Sequence, residues 1–410
     1  MDALRKDAET IVRAAIDAVR PDEAVRRALR GMTFPGRVIP VAVGKAAWQM
    51  AKAALECLPG PVEPGVVLTK YGHVMGPLPG MDCREAGHPV PDGSGFAATR
   101  AILERTAALH STDTVLFLLS GGGSALFEEP LIDPAELQDI TAQLLASGAD
   151  IVEMNTVRKR LSAVKGGRFA ARCAPARIEA VILSDILGDP LDMIASGPAA
   201  ADPSTCAQAL AVAEKYRLTL SDEARACLGR ETPKTVENVH AQVIGSVRQL
   251  CSAAAQSCRA LGYEPVFLTD RLDCEAREAG RFLAAVLRSH AGSGRKLAFL
   301  AGGETVVHLT GHGLGGRNQE LALAAAEGLR GLPGAALISV GSDGTDGPTD
   351  AAGGYADGGT AESLERRGLS LHGALADNDA YHALQAVDGL IFTGPTGTNV
   401  NDVAVGLLNG

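Results

Sequence analysis

Short, almost uninterrupted apolar β-type runs alternate with helical segments along most of this chain. RVIPVAVG (37–44), DTVLFLLSGGG (113–123) and RIEAVILSDI (177–186) are three such runs. Strands of this kind have no polar face, so helices must cover both faces of the sheet that they form. Strands that alternate with helices are typical of parallel sheets. The pattern therefore predicts an α/β fold with parallel sheets covered on both sides.

The alternation stops and restarts once along the chain. The 410 residues favour two or three domains over one. Residues 2–30 have the apolar spacing of a helix. The polar stretch 219–238 has no strong β-type run and is the best candidate linker, and VHAQVIGS (239–246) then begins a second series of strands and helices. We therefore place a domain boundary near residue 235.

Composition narrows the classes of function. A formal net charge of −10 and a pI near 5.4 argue against a nucleic-acid surface, which is normally basic. The N-terminus has no apolar core of a signal peptide, and no run approaches the roughly 18 apolar residues of a membrane span. The eight cysteines contain no CxxC pair and are typical of reduced thiols. We expect a cytoplasmic protein with neither membrane nor nucleic-acid partners.

The segment 301–350 concentrates polar residues that suit phosphoryl transfer. We expect VVHLT (306–310) and AALISVG (335–341) to be strands that each feed a glycine-rich loop. An arginine fork binds phosphate or carboxylate, and clustered aspartates suit a hard cation such as Mg²⁺. An Asp/Gly turn without metal remains the alternative for the second loop. The first loop offers Glu304, Arg317 and Asn318, and the second offers Asp343, Asp346 and Asp350.

GHGLGG (311–316) matches the GxGxxG pattern and precedes a predicted helix, which by itself suggests a dinucleotide site. However, the acid expected roughly twenty residues later falls within the apolar run AALISV. Arg317 follows the glycines directly. We therefore interpret this segment, with Gly315, as a loop that binds an anion.

Two further loops follow predicted strands. Lys45 comes directly after RVIPVAVG, at the start of a predicted helix, and its position between apolar residues argues against a free surface lysine. The SGGGS loop, residues 120–124, can form a nest of backbone NH groups for an anion, or it can be a tight turn that requires positive φ. Neither loop completes a Walker motif or a GxSxG nucleophile elbow. The loop residues are Ser120, Gly121, Gly122, Gly123 and Ser124.

Three other segments have two interpretations each. The basic run 154–168 is either a solvated helix face or a basic wall that faces an acidic ligand. Asp189 follows the strand RIEAVILSDI and is either a turn residue or a catalytic acid. The loop within 392–405, which precedes a final strand, can line a site or cap one. The basic run contains Asn155, Arg158, Lys159, Arg160, Lys165 and Arg168.

Six motifs together resemble the type II glycerate kinases of the MOFRL family, whose members were long named hydroxypyruvate reductases. The resemblance spans roughly residues 10–408. It implies ATP-dependent phosphorylation of D-glycerate, usually at the 2-hydroxyl to give 2-phosphoglycerate, with Mg²⁺. The motifs are LLSGGGSALFEEP, EMNTVRKRLSAVKGGR, SDILGDPLDMIASGP, GGETVVHLTGHGLGGRNQELALAAA, VGSDGTDGPTDAAGG and GPTGTNVNDV.

The resemblance also implies an architecture. A helical segment over 1–35 is expected to pack on the second of two α/β domains. The first, 36–235, should be Rossmann-like with a mainly parallel sheet, and the second, 236–410, a smaller α/β domain of MOFRL type. The active site is expected in the cleft between them, and a homodimer is a further expectation.

The family's active-site lysine and arginine correspond to Lys45 and Arg317. We hypothesise that Mg²⁺ lies near Asp343 and Asp346, that the SGGGS or the GHGLGG loop cradles the ATP phosphates, and that Asp189 accepts the hydroxyl proton. An NAD(P)H-dependent hydroxypyruvate reductase is the alternative, and a non-catalytic sugar-acid sensor is a third class. The other residues expected to bind substrate or nucleotide are Ser120, Gly121, Gly122, Gly123, Ser124, Asn155, Glu304, Gly315 and Asn318.

Overall fold

The computed structural model describes residues 3–58 and 62–410. The chain forms two compact units. The first unit is Pro21–Ile244, and the second unit combines the chain up to Arg20 with Gly245–Gly410. No described helix is long and apolar enough to cross a membrane.

The N-terminal segment forms two helices where the sequence predicts one. α1 (Ala3–Ala18) belongs to the second unit and α2 (Pro21–Leu29) to the first. Pro21 explains the break, because proline has no backbone N–H and clashes with the preceding turn, but it is well suited to start a helix. The prediction of one continuous helix over 2–30 is therefore wrong at this proline.

The first unit contains a six-stranded sheet in the order β3-β2-β1-β4-β5-β6. The pairings from β3 through to β5 are all parallel, which confirms the predicted α/β class with a parallel sheet. The central strands are buried along their whole length, as their apolar sequences require. The strands are β1 (Val38–Val43), β2 (Gly65–Lys70), β3 (Met81–Ala86), β4 (Thr114–Leu119), β5 (Arg177–Leu183) and β6 (Val239–Gly245).

Helices complete the first unit. DPAELQDITAQLLASG (133–148) predicts a helix with an Asp cap and a Pro at its first position. α6 begins in this way, with Pro134 in its first turn and the Asp133 carboxylate accepting from the backbone NH groups of Ala135 and Glu136. The helices that follow α2 are α3 (Ala47–Cys57), α4 (Gly93–Arg105), α5 (Gly123–Leu126), α6 (Pro134–Ala146), α7 (Ile151–Arg158), α8 (Arg168–Cys173), α9 (Cys206–Lys215) and α10 (Asp222–Leu228).

Two segments predicted to be irregular contain regular structure. The Gly- and Pro-rich segment 72–83 predicts a loop, but β3 begins inside it at Met81. β3 lies at the edge of the sheet and pairs on one side only, so its sequence MDCREA is polar and gives no strand signal. The candidate linker 219–238 contains α10, which the Ser221 side chain caps by accepting from the backbone NH of Ala224.

The second unit contains a six-stranded sheet in the order β11-β10-β9-β12-β8-β7, and only β7 and β8 pair in parallel. The expectation of a second parallel sheet is therefore wrong. β12 enters between β8 and β9 and runs antiparallel to both. A strand buried on both faces is apolar in either direction, so its sequence does not report its direction. The strands are β7 (Glu264–Leu272), β8 (Leu297–Gly303), β9 (Ala335–Gly341), β10 (Gly353–Asp357), β11 (Leu390–Ile391) and β12 (Asp402–Leu408).

VVHLT (306–310) is not a strand. Val306 forms only an isolated bridge, and Val306 and Leu309 are 58% and 79% exposed.

In the second unit, α1 packs against β9, β12 and α11, the first helix of the segment Gly245–Gly410. The helices of that segment are α11 (Val247–Ala260), α12 (Ala276–His290), α13 (Arg317–Leu329), α14 (Thr360–Arg366), α15 (Leu371–Ala376) and α16 (Ala380–Ala386).

β6, which lies beyond the boundary placed near residue 235, is a strand of the first sheet. The division into 1–35, 36–235 and 236–410 stays a prediction.

The basic run 154–168 forms neither a solvated face nor a basic wall along most of its length. Lys159 and Arg160 are buried, and both side chains pair with the fully buried carboxylate of Asp202. Lys165 and Glu128 form an ion pair of 2.7 Å with no solvent exposure on either side chain. Burial lowers the pKa of Lys165 to about 8, against the opposing effect of Glu128. The strongest basic signal in the sequence thus stabilises the first unit from within.

Lys165→Met is expected to lower the free energy of unfolding of the first unit by about 3–5 kcal/mol, because it removes the ion-pair partner of the buried Glu128 carboxylate. Urea unfolding monitored by Trp48, the only tryptophan of the chain and a residue of α3, measures this change. The matched control is Lys52→Met on α3, whose ion pair is half exposed and should contribute less than about 1 kcal/mol. A Lys165→Met/Glu128→Met double variant should recover most of the loss, and equal stability of Lys165→Met and Lys52→Met would contradict the prediction.

Candidate active site

In the first unit, polar loops follow the carboxyl ends of three adjacent strands. Lys45 follows β1, residues 120–124 follow β4, and Asp185 and Asp189 follow β5. Because β1, β4 and β5 are parallel neighbours, these loops lie along one edge of the sheet, where ligands of open α/β sheets bind. The first cluster is therefore assembled from loops that are distant in sequence.

Close backbone packing around Lys45 accounts for the glycines beside it. The backbone NH of Lys45 donates to the carbonyl of Gly121 over 2.9 Å. Gly44 has a φ of +123°, and a Cβ atom there would lie 2.3 Å from Oγ of Ser120. A Cβ atom on Gly121 would lie only 2.1 Å from Oδ2 of Asp185. A larger residue at Gly44 would collide with the backbone of Ser120, and one at Gly121 would require the Asp185 side chain to move.

The glycine loop 120–124 presents backbone donors. The backbone NH groups of Gly122, Gly123 and Ser124 form no hydrogen bond to any other residue that the structure describes. The Nζ of Lys45 likewise has no ion pair or hydrogen bond within the described ranges. Adjacent unpaired NH groups beside a free ammonium are the components of an anion site. These unpaired donors are compatible with the nest that the sequence offered as one of two interpretations, and Gly122 also has the positive φ, +88°, that the tight turn requires.

Asn155 is held against this loop by a short hydrogen-bond chain. Its Oδ1 accepts from Oγ of Ser196 over 2.8 Å, and the Ser196 and Ser124 hydroxyls lie 3.1 Å apart. Arg158, on the same helix, donates to the backbone carbonyl of Ser124. The structure therefore brings together Asn155 and Ser124, two of the residues predicted to bind substrate or nucleotide, and adds Ser196, which the sequence did not single out.

Asp189 lies in the loop after β5 in a strained conformation. Its φ of +53° is unusual for a residue with a side chain, and Ala195 and Ser196 also have positive φ. The buried Oδ1 of Asp189 accepts no hydrogen bond from any described residue. Strained backbone and an unsatisfied buried carboxylate oxygen are typical of functional sites.

Two histidines complete the first cluster, and neither was a candidate from the sequence. Nδ1 of His73 lies 2.9 Å from the backbone carbonyl of Lys45. His88 lies beside Gly122, because a Cβ atom on that glycine would be 3.1 Å from the His88 ring. Both histidines occur singly in a Gly- and Pro-rich stretch, so no motif marks them.

The second unit contains a separate cluster around Arg317, the first residue of α13. Its Nε and Nη2 donate to the two carboxylate oxygens of Asp402 over 2.5 and 3.0 Å, and its Nη1 donates to Glu304 over 2.9 Å. Asp402 begins β12 opposite the last residues of β8 and β9, Gly303 and Gly341. Burial acts to lower the pKa of Arg317, but the hydrogen bonds and charge of Asp402 outweigh it, so the pKa is raised.

Asp346 caps α13. Its Oδ1 accepts from the backbone NH and the side-chain Nδ2 of Asn318, and its Oδ2 accepts from the backbone NH of Gln319. Oδ1 of Asn318 in turn accepts from the hydroxyl of Ser339 over 2.6 Å. Burial raises the pKa of Asp346 to about 6, although these donors act in the opposite direction. Asp346 and Asn318 therefore fix the start of the helix that carries Arg317.

The GHGLGG loop directs its backbone toward the loop 377–379 and not toward an open site. The NH groups of residues 311–314 donate to oxygen atoms of Asp377, Asn378 and Asp379. A Cβ atom on Gly311 would lie 2.3 Å from backbone atoms of Asp377, and one on Gly313 would lie 2.6 Å from the Cα of Asp379. Close packing against the loop 377–379 of the same chain thus accounts for the first two glycines of GxGxxG. Within this motif, only the NH groups of Gly315 and Gly316 have no hydrogen-bond acceptor among the described residues.

The predicted aspartate pair does not form a ready magnesium site. Both oxygens of Asp346 are already engaged by α13, so binding a cation there would compete with the helix cap. Asp343 fits a cation better than Asp346 does. Among the described residues, only one of its two carboxylate oxygens, Oδ1, accepts a hydrogen bond, from the backbone NH of Thr345. The Oδ1 of Asp350 accepts from the Tyr381 hydroxyl. Within the described ranges, no group of three His, Cys, Asp or Glu side chains is arranged to hold a metal ion.

Comparison with known proteins assigns the chain to a family. A family described as a domain of unknown function (DUF4147) matches residues 7–229, and the MOFRL family matches residues 297–402. The D-glycerate 2-kinase of Thermotoga maritima is 52% identical over 99% of both chains, and the glycerate 2-kinase of Pyrococcus horikoshii is 38% identical over 97% of this chain and 93% of that protein. A crystal structure of glycerate kinase from Thermotoga maritima, 51% identical, superposes with a TM-score of 0.96 and covers 100% of both chains.

The chain belongs to the MOFRL family of glycerate kinases. The first cluster, with Lys45 and the loop 120–124, lies within the DUF4147 match. Arg317, Asp346 and Asp402 lie within the MOFRL match. Each of the two family segments therefore contributes one polar cluster, and the resemblance stated from the motifs is confirmed.

The stability of the second unit should fall as pH rises through the titration of Asp346. The pKa of this carboxyl is raised to about 6 in the folded chain, so the folded state binds the proton more tightly than the unfolded state. Relative to Asp346→Asn, the free energy of unfolding of the wild type should fall by about 2 kcal/mol between pH 4.5 and 7. Urea titrations followed by circular dichroism measure the difference. A difference that increases with pH would mean that the helix donors dominate the titration.

Proposed function

We propose that the protein is an ATP-dependent D-glycerate kinase that phosphorylates the 2-hydroxyl group and releases 2-phosphoglycerate. The observation that carries the proposal is the unpaired ammonium of Lys45 beside the unpaired NH groups of the loop 120–124. Membership of the MOFRL family supports the same activity. We further propose that the enzyme is cytoplasmic and acts as a homodimer.

The first cluster is assigned to the phosphates of ATP. The backbone NH groups of Gly122, Gly123 and Ser124 would donate to phosphate oxygens, and Lys45 would neutralise the charge that develops during transfer. Ser120 and Gly121 support the loop, and Asn155 orients Ser124 through Ser196. Asp189 is assigned as the acceptor of the hydroxyl proton, since its buried Oδ1 has no hydrogen-bond donor among the described residues.

The second cluster is assigned to the carboxylate of D-glycerate. Arg317 uses three of its five N–H groups on Asp402 and Glu304, which leaves two for an anion. Gly315 adds a backbone NH beside it, and Asn318 and Asp346 hold the helix start in place. Asp402 is 7% exposed and holds the guanidinium in one orientation, so little side-chain freedom is lost when the substrate binds.

Mg²⁺ belongs to the proposal as the counterion of the ATP phosphates. Asp343 is the residue that fits as a protein ligand, and the role assigned to Asp346 from the sequence is replaced by that of a helix cap.

The reductase alternative rests on the GxGxxG pattern. In a dinucleotide site, these glycines let the backbone approach the pyrophosphate. Here the corresponding NH groups donate to Asp377, Asn378 and Asp379, so a pyrophosphate would have to displace three side chains. The arrangement therefore favours phosphoryl transfer over hydride transfer.

The purified protein is expected to release ADP from ATP and Mg²⁺ only when D-glycerate is present, and to leave NADH unoxidised when hydroxypyruvate is added. Coupling the reaction to enolase, which accepts 2-phosphoglycerate directly, tests the position of the new phosphate.

Lys45→Met should lower kcat roughly 10²–10³-fold, because a charge-stabilising donor is removed from the transferring group.

Lys52→Met, on the helix that follows Lys45, is the matched control and should leave kcat unchanged. NADH oxidation without ADP release would decide for the reductase. An enolase signal that appears only after phosphoglycerate mutase is added would place the phosphate on the 3-hydroxyl.

Arg317→Lys should raise KM for D-glycerate roughly 10- to 100-fold and change KM for ATP much less. Lysine keeps the positive charge but loses the fork that can bind Asp402 and a carboxylate together, and charge-assisted hydrogen bonds contribute about 1.5–3 kcal/mol each. Steady-state kinetics with each substrate varied in turn measures the effect. Arg330→Lys, at the other end of α13, is the control, and an unchanged KM for D-glycerate in Arg317→Lys would refute the assignment.

A further inference from the structure

The imidazole of His88 lies against Gly122 of the glycine loop 120–124. A Cβ atom on Gly122 would lie 3.1 Å from Cδ2 and 3.2 Å from Nε2 of His88, and 3.2 Å from Cγ of Lys45. The His88 ring and the Lys45 side chain therefore both border the position that a side chain on Gly122 would occupy. Within the described residues, the His88 imidazole forms no hydrogen bond.

Partial burial and the charges around His88 both lower the pKa of its ring in the free protein. Partial burial lowers the pKa of His88, and the neighbouring Lys45, Lys70 and His73 lower it further. The carboxylate of Asp185, which lies against Gly121, borders the same loop. A group surrounded mainly by positive charge is a poor place for a further proton, unless an anion binds there.

A bound phosphate would reverse this balance. An anion placed on the NH groups of Gly122 and Gly123 would lie beside the imidazole and would favour its protonated form. Both ring nitrogens of a protonated histidine donate hydrogen bonds, whereas a neutral ring has one donor. Protonation would thus add a charge-assisted hydrogen bond to the phosphate when the ligand is present.

We propose that His88 is a further phosphate-binding residue, which takes up a proton from solvent and donates a hydrogen bond to the ATP phosphate held by the loop 120–124. This inference rests on the proposed phosphate cradle and goes beyond it, because it makes ATP affinity dependent on proton uptake by one named side chain. His73 is excluded from this role because its Nδ1 is already engaged by the carbonyl of Lys45.

The test is isothermal titration calorimetry of ATP with Mg²⁺, without glycerate, near pH 7 in two buffers that differ in ionisation enthalpy. The slope of the apparent enthalpy against buffer ionisation enthalpy gives the number of protons taken up. The wild type should take up a fraction of a proton more than His88→Gln. Its affinity relative to that variant should fall roughly 3- to 10-fold between pH 6 and 8.

His110→Gln is the matched control, because His110 is exposed and precedes the opposite, amino end of β4. It should behave as the wild type in both measurements. His88→Asn serves as a second neutral variant if His88→Gln does not fold.

Equal proton uptake and an equal pH dependence in the wild type and the His88 variants would overturn the inference, and so would absence of ATP binding by the wild type. Failure of the proposed function has a different signature. If ATP binds with His88-dependent proton uptake but no ADP is released with D-glycerate, the phosphate role stands and the glycerate kinase assignment falls.

Discussion

A buried strand cannot hold an unpaired polar group, and this constraint places the chemistry of the whole chain. The central strands of both sheets are apolar along most of their length, and a polar residue inside one, Ser339 of β9, is hydrogen-bonded to Asn318. The polar side chains assigned to ligands therefore occur where strands end. In the first sheet, the parallel arrangement brings the ends of β1, β4 and β5 to one edge, which gathers Lys45, the loop 120–124 and Asp189. In the second sheet, β12 begins where β8 and β9 end, which places Asp402 against Arg317.

The two glycine-rich loops show that one composition can serve different purposes. In the loop 120–124, glycines let three chain segments approach each other while the backbone NH groups of Gly122 and Gly123 remain unpaired. In GHGLGG, the glycines let the backbone contact the loop 377–379, whose oxygens occupy the NH groups. The acceptors in the second case lie more than sixty residues away in sequence, so a motif confined to six residues does not reveal them.

Clustered basic residues in the sequence, like glycine-rich motifs, do not by themselves identify a binding site. The densest basic run of the sequence, 154–168, is mostly consumed by buried ion pairs with Glu128 and Asp202. The cations assigned to ligands, Lys45 and Arg317, are isolated in sequence. Buried charges require partners, so clustered basic residues mark structural networks as readily as binding surfaces.

The sequence by itself determined the α/β class, the first parallel sheet, the start of α6 and the family, because continuous apolar runs, a capping aspartate and long motifs are local signals. It also identified most residues of the two clusters, since polar residues after apolar strands are visible along the chain. Only the tertiary structure decided the antiparallel insertion of β12, the polar edge strand β3, the helix cap by Asp346 and the position of His88 beside Gly122. These features depend on contacts between distant segments, and neither strand direction nor the partner of a carboxylate is encoded in the residues next to it.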